Sequence, residues 1–185
     1  MNRSLYVFAV LSLLLSFTRA SAQDKITGFR GDMLWQIEEV QKKLMDLEDA
    51  VPQKKMTWRP AKGVRSISEV YLHVAFGNYL LAKFSGFSLP SDIVLPDFKE
   101  INKWDAATTD KKQVAERMKK SFEFLTSAIK SMPDADLEQE VTFFGQQTSK
   151  RNMLLNALAH MHEHLGQSIA YARSKGVVPP WSKSN

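Results

Sequence analysis

The sequence predicts an all-α protein folded as a four-helix bundle, and three observations favour this class. Four long stretches carry apolar residues at alternating spacings of three and four, the period of an amphipathic helix. These stretches are bounded by capping residues, glycine or proline. The chain of 185 residues has no cysteine, so its stability must come from a packed core rather than from disulfides. Four such helices can bury their apolar faces against one another.

The first helix is predicted over Gly28–Ala50 and ends before Pro52. Its apolar positions have a heptad-like spacing that suits a bundle. They are Met33, Ile37, Val40, Leu44, Leu47 and Val51. The next segment, residues 52–65, carries Trp58-Arg59-Pro60 and is expected to pack over one end of the bundle.

The second helix is predicted to begin at a capping box, Ser66-x-x-Glu69, and to extend to about residue 85, before Gly86. The long connection after it, residues 86–109, exceeds the ~12 to 15 residues beyond which a structureless loop is uncommon. We expect this connection to be either a crossover or a lid. Its aromatic residues are interpreted first as cover for the core and second as a pocket wall; they are Phe87, Phe98 and Trp104.

The third and fourth helices are predicted over residues 110–131 and from about residue 148 or 149 to residue 174. Pro133 follows the third helix, and Gly176 closes the fourth. Between them, residues 141–144 are β-branched and apolar enough to be briefly extended. The buried positions of the third helix are predicted to be Val114, Met118, Phe122, Leu125, Ile129 and Met132.

Residues 1–22 are predicted to be a signal peptide rather than part of the fold. Arg3 precedes an apolar run over residues 5–15, and Ala20-Ser21-Ala22 offers the small residues that a signal peptidase accepts. The alternative is a retained membrane anchor, but the run is shorter than the ~20 residues that span a bilayer. We therefore expect a periplasmic or secreted domain, residues 23–185, with no membrane contact after cleavage.

The charge of the chain argues against nucleic-acid binding. Without residues 1–22, which include Arg3 and Arg19, the formal net charge falls from +5 to +3. The basic residues are dispersed, and no basic stripe is interleaved with aromatic residues in the manner of a nucleic-acid interface. We expect a small-molecule partner and no nucleic acid.

Three of the four histidines form a candidate metal site. His160 and His164 are one helical turn apart, so both imidazoles can reach one point, whereas His162 lies on another face. Both fall on the inward stripe of the fourth helix, and His73 adjoins the buried stripe of the second. Buried imidazoles need a partner. Three neutral imidazoles on a divalent cation, with open coordination positions, are typical of a reactive site. The alternative is that these histidines are ordinary core residues.

Other metal sites fit the spacing less well. A zinc protease would show His-Glu-x-x-His, but Glu163 is in the wrong register. A carboxylate-bridged di-iron bundle needs Glu-x-x-His, and the residues three before His160 and His164 are Ala157 and Met161. The missing cysteines exclude haem attachment through Cys-x-x-Cys-His.

These residues together resemble the DinB-like superfamily of metal-binding four-helix bundles. The resemblance rests on Trp58-Arg59-Pro60, on His73, and on the run from His160 to Gln167 that continues to Tyr171, Arg173, Gly176 and Pro179-Pro180. It spans essentially all of residues 23–185. It implies that His73, His160 and His164 bind a divalent metal, often zinc or nickel. Relatives often form homodimers, but the sequence does not determine the oligomeric state of this chain. The family name refers to a DNA-damage-inducible gene and does not imply DNA binding.

The resemblance implies a metal-dependent hydrolase or transferase acting on a small molecule. Some relatives activate a low-molecular-weight thiol as S-transferases or as an isomerase, but an exported protein meets few cytosolic thiols, which favours metal-bound water. The rival hypotheses are a non-catalytic protein that binds a metal or ligand in the same cavity and an interaction module. Supporting roles remain open for Glu69, which could hold His73 or only cap its helix, and for Gln167, Tyr171 and Arg173.

Overall fold

The computed structural model describes residues 26–182 and confirms the all-α bundle. Its helices are α1 (Gly28–Ala50), α2 (Ile67–Phe84), the short α3 (Ile101–Asp105), α4 (Lys111–Ser131) and α5 (Lys150–Ser174). A hairpin of two strands, β1 (Glu140–Phe143) and β2 (Gln146–Ser149), precedes α5. The predicted signal peptide and both ends of the predicted domain lie outside the described residues. None of the helices within residues 26–182 is both long and apolar enough to cross a membrane.

The starts of three helices follow from local capping, and the capping box predicted for α2 is present. The Ser66 side chain accepts a hydrogen bond from the Glu69 amide while the Ser66 amide donates to Glu69 Oε2, which completes the capping box of α2. Asp110 caps α4 and Ser149 caps α5 in the same way, each accepting from an amide of the first turn. Gly176, at φ +68°, allows the chain to turn away after α5.

The four long helices surround one apolar core. Both α1 and α2 pack mainly against α4 and α5. The main helix pairs of the bundle are therefore not α1 with α2 or α4 with α5. The apolar positions predicted for α1 and α4 are all buried. Because α2 packs directly against α5, residues of the capping-box helix come to face residues of the last helix.

The connection between α2 and α4 packs onto α2. The Trp104 indole Nε1 donates to the Leu72 carbonyl at 3.3 Å, and its ring lies edge-on to Phe76, 6.0 Å between centroids. As a result α2 is buried on more than its predicted stripe, including Leu72 and Ala75. The connection is therefore a folded cover for this helix. Trp104 has the predicted covering role, whereas Phe98 remains 47% exposed.

The extended segment predicted at residues 141–144 is one strand of a hairpin. Phe143 pairs with Gln146, and the two residues between them, Phe144 and Gly145, both have positive φ, at 49° and 79°. Positive φ at both central residues is the geometry of a type I′ turn, which matches the twist of the flanking strands. The sequence did not predict the second strand, because residues 146–149 are polar.

Candidate metal centre

The structure brings the three predicted histidines together. His73 lies on α2, and His160 and His164 lie one turn apart on α5. One ligand nitrogen from each ring can be chosen so that all three lie within 4.8 Å of one another, close enough to hold a metal ion. The ring centroids are 4.4 to 5.1 Å apart. His162 and Glu163 are exposed on the other side of the helix, as their positions predict.

A glycine on α2 makes room for the His160 ring. A Cβ atom placed on Gly77 would lie 2.2 Å from His160 Cε1 and 2.5 Å from Nδ1. Real Cβ atoms do not approach other heavy atoms so closely. Gly77 therefore acts as a cradle for this imidazole, and any larger residue would displace it.

The surroundings of His160 keep it neutral. The pKa of His160 is lowered to about 3, mainly by burial and also by the neighbouring His164, His73 and Arg65. Its Nδ1 atom is buried without a hydrogen-bond partner among the described residues. Leaving such an atom unsatisfied costs about 1 to 3 kcal/mol. A metal ion at the triad fits this arrangement, because neutral imidazole is the form that ligates and coordination satisfies buried nitrogen.

Asp105 orients the His73 ring. Its two carboxylate oxygens lie 3.2 and 3.3 Å from His73 Nδ1, and its side chain is 2% exposed. Arg65 Nε donates to Asp105 Oδ2 at 2.7 Å and holds the carboxylate in place. Since an ionised carboxylate only accepts hydrogen bonds, His73 Nδ1 is the donor and Nε2 keeps its lone pair for a metal. Metal-binding histidines commonly have such a carboxylate partner.

Gln167 orients the His164 ring in an equivalent way. Its Oε1 atom accepts from His164 Nδ1 at 2.8 Å, and its Nε2 donates to the Tyr171 hydroxyl at 3.0 Å. Burial lowers the pKa of His164, and the hydrogen bond with Gln167 opposes that shift. Of the roles left open by the sequence, the structure places Gln167 and Tyr171 in a chain that supports a triad histidine, while Arg173 is exposed.

Glu69 does not contact the triad through a hydrogen bond. Its carboxylate completes the capping box and forms an ion pair with Arg59 at 2.6 Å, so the capping role alone is confirmed. Asp105, which does contact His73, was missed by sequence reasoning. The available signal was an acidic residue directly after Trp104 in a segment otherwise expected to cover the core.

A cavity of about 470 Å³ lies beside these supporting residues. Asp105 and Gln167, each hydrogen-bonded to a triad histidine, form part of its wall. The remaining lining residues come from the segment before α2, the first turn of α2, α3 and the residue that follows α3; they are Arg59, Gly63, Val64, Arg65, Glu69, Asn102 and Ala106. The cavity is of a size that accepts small molecules.

Comparison with known families decides the relationship. The profile described as the DinB superfamily matches residues 36–168, which include all three histidines and most of the bundle. The chain belongs to the DinB superfamily. This confirms the resemblance inferred from the histidine run and from the residues around it.

Two solved DinB-like structures have the same fold as this DinB protein. One, from Bacillus cereus ATCC 10987, is 20% identical with a TM-score of 0.65, over 82% of this chain and 93% of that one. The other, from Bacillus subtilis, is 16% identical with a TM-score of 0.61, over 80% and 93%. None of the curated proteins compared with the chain matches it. At these identities the likeness concerns the fold alone.

Proposed function

We propose that this DinB protein binds one divalent metal ion through His73, His160 and His164 and is a metal-dependent hydrolase or transferase acting on a small molecule. The observation that carries the proposal is the triad itself: three ring nitrogens within 4.8 Å of one another, in a family identified from the sequence. The support given to the rings by Asp105 and Gln167 is that of ligands held in a fixed orientation.

The metals proposed are zinc and nickel, which the resemblance to the family implies and which imidazole ligands suit. When bound by three neutral ligands, such an ion lowers the pKa of a bound water or thiol so that a nucleophile is available at neutral pH. The protein residues supply the rest: Asp105 and Gln167 hold protons on His73 and His164 Nδ1, and Gly77 admits the His160 ring. The neighbouring cavity can admit a small substrate.

Water is the proposed nucleophile, and export to the periplasm or beyond the cell is part of this proposal. Its support is the signal-like sequence of residues 1–22, since a thiol cofactor of the cytosol would be scarce outside the membrane. An S-transferase reaction is the alternative if a thiol reaches the site. The substrate-sized cavity argues against a protein that only sequesters a metal, and it suits both an enzyme and a protein that binds a small ligand without catalysis.

Elemental analysis of the purified, exported protein tests the metal site. We expect close to one zinc or nickel ion per chain, falling sharply in His73→Ala and His160→Ala. His162→Ala is the matched control, because this histidine is on the same helix but exposed. A wild-type protein that contains no metal and takes up none on dialysis against zinc or nickel would refute the proposal, as would equal loss in the His162 variant.

A further inference from the structure

Most hydrogen-bonding groups that line the cavity beside the triad are already used. Glu69 accepts from the Ser66 amide and from Arg59 Nη2. Asp105 accepts from Arg65 and lies against His73, and Gln167 joins His164 to Tyr171. The carboxylates and the Gln167 amide of the cavity wall are therefore committed to partners within the protein, and a ligand must be recognised by the groups that remain.

The main unused donors belong to Arg65. Its Nε donates to Asp105, but neither terminal amino group has a hydrogen-bond partner among residues 26–182, and the side chain is 31% exposed. Arg59 differs, because its Nη1 donates to the Val64 carbonyl and its Nη2 to Glu69. The Asn102 amide is likewise without a partner in the described part of the chain and is exposed. The cavity thus offers a free guanidinium fork, which matches an oxygen-rich acceptor such as a carboxylate.

The charges of the loaded site also favour an anion. Arg59 and Arg65 are balanced by Glu69 and Asp105, so the cavity wall has no net formal charge. The three histidines are neutral ligands in the proposed site, and a divalent cation bound to them adds two positive charges that no side chain of the wall offsets. None of the three histidines lines the cavity itself, but Asp105 and Gln167 link its wall to His73 and His164. A negatively charged molecule in the cavity is therefore attracted by the charge of the ion and compensates part of it.

We propose that this cavity binds a small organic acid, with the carboxylate of that acid held by the two terminal amino groups of Arg65. The inference rests on the proposed function and names its substrate class. Arg65 then has two roles at once: its Nε fixes Asp105, which orients His73, and its terminal groups bind the substrate. The acid must be small, because about 470 Å³ lies near the lower end of the volumes of small-molecule sites.

Calorimetric titration with glutarate, and with glutaramide as the uncharged analogue, tests this proposal on zinc-loaded and metal-free protein. The variants are Arg65→Gln and Arg65→Lys. The matched control is Arg117→Gln, because Arg117 is an exposed arginine of α4 that does not line this cavity. Zinc content and melting temperature are measured on the same samples.

We expect glutarate to bind the wild type and Arg117→Gln equally and glutaramide to bind neither. Arg65→Gln should weaken glutarate binding by about tenfold or more, because charge-assisted hydrogen bonds are lost. Arg65→Lys should be intermediate, since lysine keeps the charge but not the fork. Metal-free wild type should bind more weakly than the zinc-loaded protein.

Equal affinity of the wild type and a zinc-loaded Arg65 variant for glutarate would overturn the proposal, as would equal binding of glutaramide. If Arg65→Gln does not fold, Arg65→Lys decides the matter by the same comparison. The two proposals fail separately. Stoichiometric zinc without glutarate binding would refute the carboxylate site alone, whereas Arg65-dependent glutarate binding by a protein that takes up no zinc would refute the metal site alone.

Discussion

Gly77→Ala should abolish metal binding while leaving the bundle folded. The new Cβ would lie 2.2 Å from His160 Cε1, so the ring must retreat by about 1.2 Å to reach an ordinary contact of 3.4 Å. Metal sites tolerate deviations of only about 0.2 Å in ligand distance. The displaced imidazole can therefore no longer share an ion with His73 and His164.

The stability of the metal-free variant should change little. Replacing glycine by alanine within a helix contributes about 1 kcal/mol in helix propensity. This gain offsets part of the about 1 to 3 kcal/mol that overpacking costs, and the half-buried His160 ring can move outward. The effect on the metal is thus separable from an effect on folding.

The assay is zinc stoichiometry after dialysis, together with thermal melting of the metal-free and zinc-loaded forms. Gly166→Ala is the matched control, because Gly166 is a helical glycine of α5 where a Cβ would meet nothing within 4 Å. The control should keep one zinc per chain, and zinc should raise the melting temperatures of the control and of the wild type equally. A Gly77→Ala protein that binds zinc as tightly as the wild type would refute the cradle argument.

Three further predictions concern the supports of the site and the fold. Asp105→Asn should weaken zinc binding, measured by chelator competition, by about 10- to 100-fold, because His73 loses its carboxylate partner. An unchanged zinc affinity would contradict the role of Asp105 in orienting His73. Ser66→Ala should lower the free energy of unfolding, measured in urea, by about 1 kcal/mol, because the helix cap is lost. Zinc stoichiometry should not change. A change in stoichiometry would show that the cap also positions His73. Glu48 is 2% exposed, and burial raises the pKa of its carboxyl group from 4.5 to about 7. As the pH rises, Glu48 therefore loses its proton in the unfolded chain before it does so in the folded protein. The free energy of unfolding consequently falls between about pH 4.5 and about pH 7. In urea unfolding of the metal-free protein at pH 8, Glu48→Gln should therefore be more stable than the wild type by about 3 kcal/mol. This difference should disappear near pH 4. Parallel pH profiles of the two proteins would contradict the raised pKa of Glu48.

Much of the fold could be predicted from local sequence. The bounds of α1 were predicted to the residue, and α2, α4 and α5 begin after the capping residues Ser66, Asp110 and Ser149. These boundaries depend on hydrogen bonds within one helical turn, so neighbouring residues are sufficient to determine them. The hairpin was only half predicted, because the polar strand at residues 146–149 exists through its pairing with β1 rather than through its own apolar pattern.

Some features of the candidate site could likewise be predicted from the sequence, and others could not. The shared face of His160 and His164 and the outward position of His162 follow from helical periodicity. His73 was chosen as the third member because it adjoins the buried stripe of α2, and the family resemblance agreed with that choice. Nothing in the sequence showed that Asp105 would reach His73 or that Gly77 would receive the His160 ring.

By itself, then, the sequence determined the four helices, their buried faces, the histidine pair on one turn and membership of the DinB superfamily. Only the tertiary structure decided that Asp105, from the connection after α2, and Gln167 hold the His73 and His164 rings. It also decided that the two terminal amino groups of Arg65, without a partner among residues 26–182, lie beside a cavity. The physical reason is the distance along the sequence over which each kind of interaction acts. Helical periodicity and capping act over a few residues, whereas contacts between α2, α3 and α5 depend on how the whole bundle packs and on where the long connection crosses it.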